Sequence, residues 1–130
     1  MYKETELTQK IIGCAYNVHN TLGAGFLEKV YENALRVEME SIGLRVAQQL
    51  PMQVRYKGTV VGEYLADLVV EDKVILELKA LEKLSAIHEV QLKNYLCACG
   101  LELGLLLNFG QKVEIRRKFV SQTTARMQSS

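Results

Sequence analysis

No stretch of this chain stays apolar for the roughly 18 residues that a membrane helix requires. The best candidate, Leu101 to Phe109, is interrupted by Glu102 and Gly104. The first residues, Met1-Tyr2-Lys3-Glu4-Thr5-Glu6, are polar and acidic, unlike a secretory signal. The expectation is a cytoplasmic protein with no membrane contact. Cysteine is scarce and odd in number: Cys14, Cys97 and Cys99. That argues against a disulfide framework. Cys97-Ala98-Cys99 lacks the spacing of a zinc knuckle, and only His19 and His88 could join it. Small buried thiols on helices are the simpler reading. A surplus of either charge is also missing: 16 basic and 15 acidic residues leave a net charge of +1. Strong nucleic-acid binders usually carry a basic excess, so any such contact here must come from a local patch. The only basic run, Arg116-Arg117-Lys118, could touch phosphates or simply form a solvated face.

What is present is the composition of an ordinary globular domain. The chain has 130 residues, 48% of them hydrophobic and 24% charged. That suffices for one compact domain and is too little for two. Leu7, Ile11, Ala15, Val18 and Leu22 recur at helical spacing, with Gly23 as a stop. After Gly23-Ala24-Gly25, the residues Leu27, Val30, Tyr31, Ala34 and Leu35 repeat the pattern up to Gly43. Val46 to Tyr56 is extended and holds the single proline, Pro51, which suits an edge or irregular strand. Val60 to Val70 and Val74 to Leu81 read as strands around the loop Glu71-Asp72-Lys73. Ser85 is a good cap for a third helix ending near Gly100. Leu103 to Phe109 and Val113 to Val120 complete the order α-α-β-β-β-α-β-β. This predicts an α/β fold, a mixed central sheet flanked by helices. The domain should span residues 1–120, with 121–130 a flexible tail.

Val74-Ile75-Leu76-Glu77-Leu78-Lys79-Ala80-Leu81 is the most informative stretch. Apolar residues on both faces mark a strand covered on both sides, yet Glu77 and Lys79 interrupt it. Residues two apart on a strand share a face. If Glu71-Asp72-Lys73 forms the loop, Val70 pairs with Val74, Val69 with Ile75, and Asp67 lies opposite Glu77. The two carboxylates would then share a face with their Cβ atoms about 5 Å apart; like charges at that distance repel by about 3 kcal/mol at an effective dielectric near 20, and burial adds to that cost. A divalent cation, the Lys79 ammonium or a shared proton could each offset it. The alternative is an exposed edge where Glu77 and Lys79 do nothing special.

Asp67 followed by Glu77-Leu78-Lys79 resembles the D…ExK core of the PD-(D/E)XK nuclease superfamily. Gly25-Phe26-Leu27-Glu28-Lys29-Val30-Tyr31 is similar to the GxxExxY motif of one of its branches. Gln91-Leu92-Lys93-Asn94-Tyr95 is similar to the QxxxY motif of its exonuclease-like branch. Ala66 stands where the pattern has proline, a change the superfamily tolerates. The resemblance covers roughly residues 7–120. It implies a restriction-endonuclease-like core and a nuclease that uses Mg2+ or Mn2+ on DNA or RNA. It further implies that Asp67, Glu77, Glu28 and the Leu78 carbonyl hold the metal. Lys79 would activate water and stabilise the phosphate, and Gln91 and Tyr95 would orient Lys79 or touch the nucleic-acid backbone.

Other signals are weaker. Glu28 and Glu32 lie on one side of a helix and either could face the site, Glu28 fitting the motif. Gln91 and Tyr95 sit in a polar stripe that could line a pocket or be a surface boundary. Gly23-Ala24-Gly25 lacks the context of a phosphate-binding loop and reads as a turn. His19, with no evident partner, reads as structural and His88 as a bystander. A homodimer is compatible with this size. The rival function is a nuclease-fold module that binds nucleic acid or protein without cutting.

Overall fold

A computed structural model describes residues 4–121. All but the first residue of the expected tail therefore lies outside the described residues. Two helices come first, α1 (Thr5–Leu22) and α2 (Glu28–Ser41), then three strands, β1 (Val46–Tyr56), β2 (Thr59–Val70) and β3 (Val74–Lys79). Helix α3 (Ala86–Cys99) and strands β4 (Leu103–Phe109) and β5 (Val113–Phe119) follow. The sheet has five strands in the order β1-β2-β3-β4-β5. β3 and β4 run parallel and the other neighbours antiparallel. This is the mixed sheet and element order that the hydrophobic pattern predicts. Pro51 lies on the edge strand, where its missing donor does least harm.

The sheet divides the core in two. On one face Ile11, Ala15 and Val18 of α1 and Tyr31, Leu35 and Met39 of α2 pack with Leu68, Leu76, Leu78, Leu105 and Leu107. On the other, Leu92 and Leu96 of α3 pack with Ala66, Val69, Ile75 and Leu106. β3 is therefore covered on both sides, as apolar residues on both of its faces require. A fully buried leucine such as Leu76 or Leu78 contributes about 1.5–3 kcal/mol. α3 lies close on the sheet because Gly104 has no side chain: a Cβ there would stand 2.9 Å from Leu92 Cδ1. Ser85 caps α3 as expected, in a reciprocal arrangement with His88.

Two strands break alternation together. Ala47 and Leu50 pack on the same side, and so do Ala66 and Val69, although each pair is three residues apart. A regular strand cannot do this. Gln49 accounts for the irregularity in β1: its φ is +53°, a left-handed conformation rare outside glycine. Pairing nevertheless keeps its register, with Gln48 opposite Leu68 and Leu50 opposite Ala66. The residues between them, Gln49 and Asp67, mark a matched kink in neighbouring strands.

Candidate active site

The hairpin register is the one its apolar pattern predicts: Val70 opposite Val74, Val69 opposite Ile75, Leu68 opposite Leu76. One step further Asp67 would face Glu77, and there the backbone ladder stops. Side chains take over. The Asp67 amide donates to Glu77 Oε2 at 3.1 Å, and the Leu78 amide donates to Asp67 Oδ2 at 2.8 Å. Each carboxylate thus accepts from a backbone amide of the other strand, across the gap where β2 and β3 part. Hydrogen bonds from backbone amides to a carboxylate are charge-assisted and hold it in a fixed geometry.

Each acid has a second support. Tyr64, buried on β2, donates its phenolic hydroxyl to Glu77 Oε2. Its ring stacks on Tyr95 of α3, with centroids 3.7 Å apart and planes 7° from parallel. On the α2 side Gln49 donates to Asp67 Oδ1 at 3.4 Å and to both oxygens of Glu32 at 3.1 Å. Glu32 is only 2% exposed and also receives Gln48 and Lys29. The strained backbone at Gln49 is therefore what turns an amide toward two acids at once.

The loop before α2 is fixed by Tyr31. Its hydroxyl donates to Gly23 O at 2.6 Å and accepts from the Phe26 amide at 3.3 Å. Its ring stacks on Phe109 at 4.7 Å. Gly23 and Gly25 take positive φ of 76° and 104°, which their lack of a Cβ permits. The glycine and tyrosine of the Gly25…Tyr31 segment thus fix the loop that leads into α2, where Glu28 stands in the first turn.

Burial first, and then the Asp67 charge, push the Glu77 carboxyl up to about 7. Burial is the main cause of the rise at Asp67, with Glu32 adding to it. Glu28 is raised by burial and by Asp67. Lys79 lowers all three, so its ammonium shares their field. Four of the sequence candidates, Glu28, Asp67, Glu77 and Lys79, therefore form one coupled group. Tyr95 joins it only through Tyr64. Gln91 is exposed on α3 and has no hydrogen bond to the group among the described residues.

The donors suit a hard cation: carboxylates from three elements and the Leu78 carbonyl, all oxygen. As they stand, no three His, Cys, Asp or Glu side chains among the described residues are close enough together to hold one.

A model of the PD-(D/E)XK nuclease superfamily matches residues 5–118. This chain belongs to that superfamily. No curated protein sequence matches it. Among solved structures it is similar to the crystal structure of SSO0001, with a TM-score of 0.56 and 16% identity over 96% of this chain and 65% of that one. The superfamily member described here thus spans less than two thirds of that protein. It is also similar to an alkaline exonuclease, LHK-Exo from Laribacter hongkongensis, with a TM-score of 0.49 and 12% identity, covering 98% of this chain and 79% of that. At 16% identity the likeness to SSO0001 speaks to the fold alone, a mixed sheet flanked by helices.

Two members of the site, Tyr64 and Gln49, carry no sequence signal for it, and a third, Glu32, stands in the sequence only as the alternative to Glu28. Tyr64 was readable only as one more aromatic on a strand. Gln49 carries no signal in Gln48-Gln49-Leu50-Pro51 for a left-handed residue. Glu32 ranked behind Glu28, yet it is the more buried of the two. His19, for which no partner was expected, bonds Gly110 O at 2.8 Å and serves the fold. The basic run is engaged locally: Arg116 pairs with Glu89 and Glu114, Lys118 with Glu89, and Arg117 donates to Thr8. No helix among the described residues is long and apolar enough to cross a membrane.

Proposed function

We propose that this superfamily member is a cytoplasmic nuclease that hydrolyses phosphodiester bonds of DNA or RNA with Mg2+ or Mn2+. The observation that carries this reading is the pair Asp67 and Glu77, each carboxylate held by a backbone amide of the other strand where the ladder opens, with Lys79 in the same field. Asp67, Glu77, Glu28 and the Leu78 carbonyl would hold the cation after modest side-chain rearrangement. When bound, a divalent ion generates a nucleophile from water at neutral pH and offsets charge on the phosphoryl oxygens. The remaining tasks fall to the chain. The amides of Asp67 and Leu78 fix the two carboxylates before substrate arrives. Lys79 places a positive charge beside the point where negative charge grows, where such groups act most strongly. Tyr31 and the two loop glycines fix the start of α2, where Glu28 stands.

The test is cleavage of single- and double-stranded DNA and RNA with and without MgCl2 or MnCl2. Glu77→Ala and Lys79→Ala proteins that keep their fold should each lose about a hundred- to a thousandfold or more in kcat, the usual cost of removing such a group. Equal activity in wild type and both variants would contradict the proposal. A second reading, a nuclease-fold module that binds nucleic acid or protein without cutting, is supported by the lack, among the described residues, of three acids close enough to hold an ion, and by the locally paired basic run. Metal-independent binding with no cleavage across these substrates would favour it.

A further inference from the structure

The strongest unexplained feature near the site is a stack of two tyrosines on the α3 side. Tyr64 lies three residues before Asp67 on β2. It is 6% exposed, its hydroxyl donates to Glu77 Oε2, and its ring lies flat against Tyr95. Glu77 Oε2 therefore has two donors, a phenol from β2 and the amide of Asp67. Without the phenol, only the amide would set the rotamer of a side chain that stands where β2 and β3 have parted. A buried hydroxyl held by an aromatic platform is well suited to that task, because stacking restricts the ring and so restricts the direction of its O–H.

We infer that Tyr64 is a positioning residue that restricts the side chain of Glu77 and so limits how far it must move to meet a cation, and that Tyr95 acts on the site through its ring, by stacking on Tyr64, and not through its hydroxyl. This rests on the nuclease reading and deepens it. It gives Tyr95 a different task from contacting substrate, and it adds a residue that no motif marks. Partners that orient a ligating carboxylate typically govern about ten- to a hundredfold in metal affinity or activity.

The experiment compares Mn2+ affinity, by calorimetry or by electron paramagnetic resonance of the free ion, and steady-state cleavage in four proteins. These are wild type, Tyr64→Phe, Tyr95→Phe and Tyr95→Leu. All should keep wild-type circular dichroism, since Tyr64→Phe and Tyr95→Phe conserve the rings. Tyr64→Phe should weaken Mn2+ binding by about ten- to a hundredfold and lower kcat while leaving KM for nucleic acid unchanged. Tyr95→Leu should move the same quantities in the same direction, and Tyr95→Phe should move neither. A purely structural role would alter stability without separating kcat from KM. Unchanged Mn2+ affinity in Tyr64→Phe would overturn the inference, as would a Tyr95→Phe protein that fails like Tyr64→Phe. If wild type itself binds no Mn2+, the nuclease reading fails first, and that outcome is distinct from either.

Discussion

Two carboxylate clusters in this protein behave in opposite ways. At the surface, Glu89 and Glu114 face Arg116, Lys118 and the Asn108 amide, and both acids are held below the usual range, chiefly by hydrogen bonds from Lys118 and Asn108. At the β2–β3 opening, Glu28, Asp67 and Glu77 are all held above it, chiefly by burial. The first cluster is electrostatically satisfied by the chain itself. The second is not, because Lys79 must serve all three sheltered acids, with Lys29 helping at Glu28. The lesson is that abundance of charge does not mark a site. A group of like charges left short of counter-charge does, since it will gain most from a cation.

Substitution can break this contrast. The largest effect on stability should come from Glu77→Gln. At about pH 8 without divalent ions, losing the sheltered charge should stabilise the fold by ~1–3 kcal/mol, measured by urea denaturation, since a pKa displacement converts directly to free energy. At about pH 5, where the native Glu77 is already protonated, the gain should vanish. A destabilised Glu77→Gln protein at the higher pH would mean that the cluster is satisfied after all.

The wild-type pH dependence sharpens the same point. Glu77 has a native value of about 7 against an ordinary 4.5. The folded state therefore holds a proton that the unfolded chain has released across that interval. Stability should be greatest below about 4.5 as far as this group is concerned, and should decline as pH rises toward 7. Asp67 and Glu28 contribute in the same direction. Glu89 and Glu114, with lowered values, act in the opposite sense, and their contribution fades as the solution becomes acidic. Millimolar Mg2+ at about pH 8 should restore what the site loses. The smallest effect belongs to Lys118→Gln, which removes a surface partner of Glu89. Thermal unfolding and cleavage should both stay close to wild type, because exposed ion pairs add little.

Much of this was legible in the sequence. Element order followed from periodicity, and the hairpin register followed from placing the loop at Glu71-Asp72-Lys73, two residues of which indeed take positive φ. That register was enough to bring Asp67 to Glu77. Strict alternation failed at Asp67 because β1 and β2 kink together, and the cause is a backbone conformation at Gln49 that its side-chain chemistry does not announce. Gln91 and Tyr95 show the limit of motif spacing: one is exposed and apart, while the other reaches the site through a residue on a distant strand. Contacts between elements far apart in sequence leave no local period to read.

The central claim is that a divalent cation compensates the crowded acids. Titrating MgCl2 or MnCl2 into wild type and Asp67→Asn by calorimetry, in buffers of different ionisation enthalpy near pH 7, tests it most directly. The account predicts binding by wild type with release of a proton, and at least about tenfold weaker binding by a folded Asp67→Asn protein, since a ligating carboxylate is lost. Equal affinity in both proteins, or no heat from either, would contradict it.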